Sequence, residues 1–277
     1  MKMTSPAAVG ACAGSAAAVV LPLFLAVLPG TALGHDPVFG LGPHTLFKGG
    51  VEVHIGLDRT QGGTQQETEG RLELAYGLTG DWSLRAELPY VDRDHGTSGL
   101  ADVALATKYR FWRHDRLGVQ ETAAVLGKFK LDSAGRARGT DSTDTIVGLA
   151  YGYESRRWYR WAALRYRFNG ETPARLDRGD KVLLDLVGGI RFRPSSYLEP
   201  DWVWMVELNG ERSARDRLQG RTVRDSGGSQ WFLSPGVMWT LRNFAIKGGV
   251  QFAVASRLHG DQADSDYRAR LELEWHL

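Results

Sequence analysis

The sequence predicts an all-β protein: an up-and-down antiparallel transmembrane β-barrel of about twelve strands, preceded by a cleaved signal peptide. Three observations carry this. Residues 267–277 alternate without a break, with Tyr267, Ala269, Leu271, Leu273, Trp275 and Leu277 on one face and Arg268, Arg270, Glu272, Glu274 and His276 on the other. A period of two marks a strand whose faces meet unlike environments, and the same pattern recurs along the chain. An apolar export signal stands in front of it. The connections between strands alternate between short and long, the habit of barrels with short periplasmic turns and long external loops.

Residues 1–34 read as the signal. Lys2 supplies its positive end, 16–28 its apolar run, and Ala32 and Gly34 the small residues before a cut at His35. The run is too short and too rich in Ala and Pro for a comfortable membrane span. Cys12, the single cysteine, lies inside it, so the mature chain has no thiol, disulfide or cysteine metal site. Residues 35–46 are expected as a periplasmic N-terminal extension and 47–277 as the barrel, with no linker or change of texture to divide it. The formal charge of +2 falls close to zero once Lys2 is removed, which argues against a nucleic-acid partner.

The strands follow in order. The first, 47–59, sets Val51, Val53, Ile55 and Leu57 against Glu52, His54 and Asp58. The second, 71–78, and third, 82–92, put Arg71, Glu73, Arg85 and Glu87 on the polar face. The fourth is 100–112, with Asp102, Lys108 and Arg110 opposite Val103, Leu105, Tyr109 and Phe111. The fifth, 119–131, carries Lys128 and Lys130 inward but Glu121 on the face that should meet lipid. The sixth is 145–154. The seventh, 158–169, opposes Arg165 and Arg167 to Leu164, Tyr166 and Phe168; the eighth, 181–193, carries Lys181, Asp185 and Arg191. The ninth is 202–211, with Glu207. The tenth, 230–241, contains Pro235, expected at a bulge because it cannot donate to the ladder. The eleventh, 244–256, carries Lys247, and the twelfth closes the chain.

Short turns fall at 79–81, 113–118, 155–157, 194–201 and 242–243, and longer polar loops at 60–70, 93–99, 132–144, 170–180, 212–229 and 257–266. Aromatic residues bracket the short turns: Trp82, Trp112, Trp158 with Tyr159, Tyr197 with Trp202, and Trp239 with Phe244. Trp275 and Phe47 stand where the chain ends join the same rim. Amphipathic rings favour the headgroup level, so Trp82, Trp112, Trp158, Trp202, Trp239 and Trp275 are expected as a membrane girdle.

The candidate pore-lining residues are the inward charges: Glu52, Arg71, Glu73, Arg85, Glu87, Asp102, Lys108, Arg110, Lys128, Arg165, Arg167, Lys181, Asp185, Arg191, Glu207, Lys247, Arg268, Arg270 and Glu272. So many charges must be paired or wet. Two readings stay open: a closed lumen laced by salt bridges, or a narrow basic pore for anionic or polarisable solutes. Barrels of about eight strands are filled and those of about sixteen hold channels, so about twelve falls between. His35, as a new N-terminus, and His44 offer an amine and two imidazoles, a set suited to Cu(II). Gly49-Gly50, Gly188-Gly189 and Gly248-Gly249 fit bulges or bends within strands better than phosphate cradles. No nucleotide, cofactor or metalloprotease motif is present. His54 and His276 point inward while His95, His114 and His259 lie in connections, so no His–Ser pair faces lipid and the chain does not read as an enzyme.

Glu87-Leu88-Pro89-Tyr90, then Gly99-Leu100-Ala101-Asp102-Val103 leading to Lys108-Tyr109-Arg110-Phe111, resembles the outer-membrane transporter family named for the meta-pathway of phenol degradation. Gly42-Pro43-His44 through Phe47-Lys48-Gly49-Gly50 is similar to members as well; Ala101 stands where that family usually has Gly. The resemblance implies a barrel that passes small, often aromatic, compounds. The expectation is therefore a porin-like transporter of the Gram-negative cell outer membrane with both termini periplasmic. Its partners would be the lipid bilayer, small solutes and, during insertion, the barrel-assembly machinery. The loop 212–229, rich in both signs of charge, is expected to fold over or into the mouth.

Overall fold

The structure, a computed structural model, describes residues 35–277 apart from 63–64, 94–97, 136–137, 195–198 and 263–264. The signal peptide with Cys12, and also His95 and Tyr197, lie outside the described residues.

The chain is all β. Its elements are β1 (Val51–Gly62), β2 (Gln65–Thr79), β3 (Trp82–Arg93), β4 (Gly99–Leu100), β5 (Ala104–Arg116) and β6 (Val119–Lys130). There follow β7 (Asp144–Ser155), β8 (Trp158–Phe168), β9 (Leu176–Asp177), β10 (Lys181–Ile190) and β11 (Asp201–Ser213). The last are β12 (Arg217–Leu218), β13 (Arg221–Thr222), β14 (Gly228–Leu241), β15 (Phe244–Leu258) and β16 (Tyr267–His276). Four of these are two-residue pieces; the other twelve pair antiparallel with their neighbours around a ring. Ile55 of β1 faces Leu273 of β16 and Glu52 faces His276, while the Leu277 N–H donates to the Val51 carbonyl at 2.8 Å. The barrel is closed, and closure removes the unpaired edges that lipid could not solvate.

Alternation places the faces as expected. Ile55 and Leu57 on the outside are 56% and 52% exposed, whereas His54, just before them, is 3% exposed. The outer wall is a continuous apolar band, far beyond the patch a soluble protein tolerates. Trp82, Trp112, Trp158, Trp202 and Trp275 are exposed on the outer face at the short-turn rim, and Trp239 is half-buried there beside Phe244, whose ring also meets Trp275. A second belt, missed from sequence, runs through Tyr90, Phe129, Tyr166, Phe168, Trp231 and Phe252 at the loop end. Trp231 and Trp239 lie eight residues apart on β14. That is roughly 26 Å along a strand, or about 20 Å across the membrane at a tilt of about 40°, a little under the ~25 Å apolar band of such barrels.

Several details differ from expectation. β1 and β2 pair out to Gly62 and Gln65, so most of the loop at 60–70 is strand; its polar side chains on both faces leave no hydrophobic alternation to read. The fourth strand is split, because residues 101–103 leave the ladder and Asp102 turns to the loop 133–140. Its carboxylate accepts the N–H groups of Ser133, Ala134 and Thr140 and the Lys130 ammonium. Pro235 does not mark a bulge. Its ladder to β11 is regular, the pairing to β15 merely lapses there, and the register shift falls at Trp231/Phe232. Glu121, outward as feared, is partnered by Arg116 and by the Tyr151 hydroxyl at 2.7 Å.

The largest correction concerns residues 35–46. They do not extend away from the barrel; they cross its interior. Val38 is 1% exposed and packs with inward Tyr159, Trp161, Val187, Val203, Met205, Met238 and Ala245. The segment leaves by the short-turn rim, where the Thr45 hydroxyl donates to the Gly80 carbonyl and the Gly49 N–H to that of Gly77.

Candidate functional site

The interior has two unlike walls. β8, β10, β11, β14 and β15 present the apolar cluster around Val38 near the short-turn end. β1, β2, β3, β5 and β16 present charge. Lys247 of β15, almost fully buried, is held by Glu272 at 2.9 Å and Glu274 at 3.1 Å. His54 Nδ1 lies 2.7 Å from Glu272 and its Nε2 against Glu52. Arg85 joins Glu73 at 2.9 Å and Glu52 at 3.2 Å, and Arg71 joins Glu73 at 2.7 Å and Asp58 at 3.3 Å. A charge in such a site survives only in company, and each of these has it.

The segment 35–44 lies between the walls and is tied to both. Glu207, buried on β11, forms no ion pair among the described residues; it accepts the backbone N–H groups of Val38 at 2.8 Å, Phe39 at 3.1 Å and Gly40 at 2.7 Å. Successive amides converging on one carboxylate form an anion nest. On the other side the Lys108 ammonium donates to both oxygens of Asp36 at 3.2 Å, and Arg85 stands at 3.9 Å. Burial pushes the Asp36 carboxyl up, but Lys108, Arg85 and Lys247 outweigh it and hold its pKa below the ordinary value. Lys247 also donates to the Asp36 carbonyl at 3.1 Å and Arg270 to that of Val38 at 2.9 Å. His44 meets Glu154, which also accepts the Trp161 indole N–H at 2.9 Å. Burial disfavours the imidazolium, yet the Glu154 carboxylate wins and raises the His44 pKa.

Glycines make room for this crossing rather than for bulges. A Cβ at Gly249 would come within 3.1 Å of the Phe39 ring, and one at Gly236 within 3.1 Å of the Val38 side chain.

Two cavities lie beside the segment. One of about 270 Å³ lies along the segment towards the short turns, against Asp36, Glu52, His54, Arg85, Lys108 and His276 among others. The other, about 1200 Å³, opens towards the loops. Both touch Phe39, Arg71, Arg165 and Arg270, which mark the constriction between them. Of the candidate lining residues, Glu52, Glu73, Arg85, Glu87, Lys108, Lys128, Lys247 and Glu272 face the smaller cavity. Arg167, Lys181, Asp185 and Arg268 face the larger. Four face neither: Glu207 holds the segment, Asp102 the loop, Arg110 binds Asp81 and the Gly80 carbonyl at a turn, and Arg191 reaches Asp201 and covers the Tyr159 ring. The larger cavity is lined by seven Arg or Lys and five Asp or Glu. Arg268 stacks on Phe232 at 4.7 Å and Arg270 on Phe39 at 5.3 Å. The buried Nε atoms of Arg165 and Arg167 have no hydrogen-bond partner among the described residues.

The loop 212–229 lines neither of these cavities, but its Ser213, Asp216 and Gly227 line a third, of about 310 Å³, beside Arg167, Lys181 and Glu211. Its β12 and β13 form a small sheet with β9, so it leans on the neighbouring loop. Nor do His35 and His44 form a pair: His44 sits with Glu154, and His35 with Glu274 and His276.

A profile of the family described as "Putative MetA-pathway of phenol degradation" matches residues 34–265. The chain belongs to that family. Its match starts just ahead of the crossing segment, and the stretch of family resemblance at 87–111 builds the Asp102 anchor. An outer-membrane channel from Pseudomonas putida F1 is similar in structure, with a TM-score of 0.68 at 14% identity over 88% of this chain and 100% of that one. NanC porin gives a TM-score of 0.49 at 11% identity over 82% of this chain and 100% of its own. The first likeness shows the fold, that of an outer-membrane β-barrel. Among curated proteins none matches.

Proposed function

We propose that the chain is a porin-like transporter of the outer membrane that passes small anionic or aromatic solutes passively through its lumen. The observation that carries this is the pair of internal cavities meeting at Phe39, Arg71, Arg165 and Arg270. In this reading the short-turn rim and both mature termini face the periplasm, the long loops face outward, and the two aromatic belts lie at the headgroups. Cationic excess, guanidinium N–H donors without partners, and Arg–aromatic stacks around the larger cavity support a preference for anions and for flat rings. The reading is not catalytic.

The crossing segment favours a second reading, a closed barrel serving as a scaffold, because its ties to Glu207, Lys108 and Glu154 are all satisfied. Single-channel recording separates the two. A transporter gives discrete conductance whose reversal potential in a salt gradient shows anion preference; a scaffold gives none.

A further inference from the structure

We propose that His35, Glu274 and His276 form a binding site for a borderline divalent metal, Cu(II) above all, at the short-turn end of the lumen. His35 Nδ1 lies 2.6 Å and His276 Nε2 2.8 Å from the same oxygen, Glu274 Oε1. The three donor atoms fall within 4.8 Å of one another, close to the ~4 Å spread of donors around an ion with ~2 Å bonds. Two imidazoles converging on one carboxylate oxygen is an arrangement an ion can enter by taking that oxygen and both nitrogens.

The surroundings suit it. Lys247 holds the second oxygen of Glu274 at 3.1 Å, fixing the carboxylate so that the first points at the two rings. His276 Nδ1, the ring nitrogen away from the site, lies 3.1 Å from Glu52 Oε2 without forming a regular hydrogen bond. A carboxylate behind a metal-bound imidazole fixes its tautomer and raises its basicity. The smaller cavity reaches Glu274 and His276 and gives the ion its way in. Neutral imidazole nitrogen with a carboxylate is the ligand set that Cu(II) binds most tightly among first-row divalent ions.

The choice of ring nitrogen adds a further point. Nδ1 is the nitrogen of His35 that can close a chelate ring with the α-nitrogen of its own residue. If the signal is cut before His35, that nitrogen becomes a free amine and supplies a fourth donor. The second imidazole of the N-terminal copper set is then His276, not His44. The site does not depend on whether solute passes the lumen.

The test uses chelator-stripped protein beginning at His35, folded in detergent and checked by its heat-modifiable migration, titrated with Cu(II) and followed by electron paramagnetic resonance. One ion per chain should bind, with nitrogen hyperfine structure, and electron spin-echo modulation on the wild type should count two coordinated imidazoles. His276→Gln should weaken binding by well over about tenfold and Glu52→Gln by about tenfold, while His44→Gln leaves it unchanged. A Gly-Ser extension before His35 should weaken binding but keep both imidazoles. One imidazole in the wild type, wild-type affinity in a folded His276→Gln, or equal losses in His44→Gln and His276→Gln would overturn the assignment. The imidazole count needs no variant, so the test survives if His276→Gln fails to fold.

Discussion

The two halves of the lumen are lined by the same twelve strands and are built in opposite ways. Towards the short turns, charges are buried and matched, and residues 35–44 fill the space between an apolar wall and a charged one. Towards the loops, a cavity of about 1200 Å³ keeps more cations than anions and two guanidinium N–H groups without partners. The first half is packed like a protein interior, so its changes should register as stability. The second is shaped like a passage, so its changes should register as selectivity. At the constriction between the halves, at Phe39, Arg71, Arg165 and Arg270, both readouts should move.

The largest expected effect is on the packed half. Lys247→Met leaves Glu272 and Glu274 facing each other in a buried site without their ammonium, a loss of roughly 3–5 kcal/mol. The barrel-to-unfolded transition, read on gels of samples pre-heated to a series of temperatures, should move to a markedly lower temperature. A variant as stable as wild type would show that water already reaches that half and erase the contrast.

Next in size is the open half. Reversing Arg165 and Arg167 to Glu places two negative charges where two positive ones met the cavity. The permeability ratio should swing from anions to cations, by about tenfold, while thermal stability falls less than in Lys247→Met. Unchanged selectivity would mean that ions do not pass these side chains.

A smaller effect comes from pH. Because the folded His44 pKa lies above its ordinary 6.5, the stability it lends is complete below that value and is lost as pH rises through the raised one. The N-terminal segment, followed by a spin label near residue 41, should loosen as pH climbs past neutrality, and His44→Gln should abolish that dependence. Loosening on acidification instead, above pH 5, would contradict the sign.

The smallest is at the crossing. Gly236→Ala presses a methyl group against Val38 at 3.1 Å, and an overpacked interior costs about 1 kcal/mol or more. A small rise in the label's mobility is expected, with the barrel's unfolding temperature nearly unchanged.

Much of this was legible. The parity of β16 and β1, the turn-side tryptophans and the inward side of Arg165, Lys247 and Glu272 follow from a period of two, which survives whatever lies inside. The crossing was not legible, because residues 35–46 have no period and their partners, Glu207 and Lys108, are far away in sequence. One sign was available: parity puts Tyr159, Trp161, Val187 and Met205 inward, and an apolar patch inside a wet barrel needs something to cover it. The loop 212–229 was legible only in part. Its mixed charge suggested a gate; Arg217, Leu218, Arg221 and Thr222 are exposed residues of a side sheet, while Ser213, Asp216 and Gly227 line a cavity beside Arg167 and Lys181.

The central claim is that residues 35–44, and not that loop, set the width of the passage. Single-channel conductance in planar bilayers tests it most directly, comparing wild type, the double change Asp36→Ala with Glu207→Ala, and removal of residues 214–226. The double change, which takes the segment from its anchors on both walls, should raise conductance several-fold, and the loop removal should leave it near wild type. A rise on removing the loop with none on freeing the segment would contradict the account.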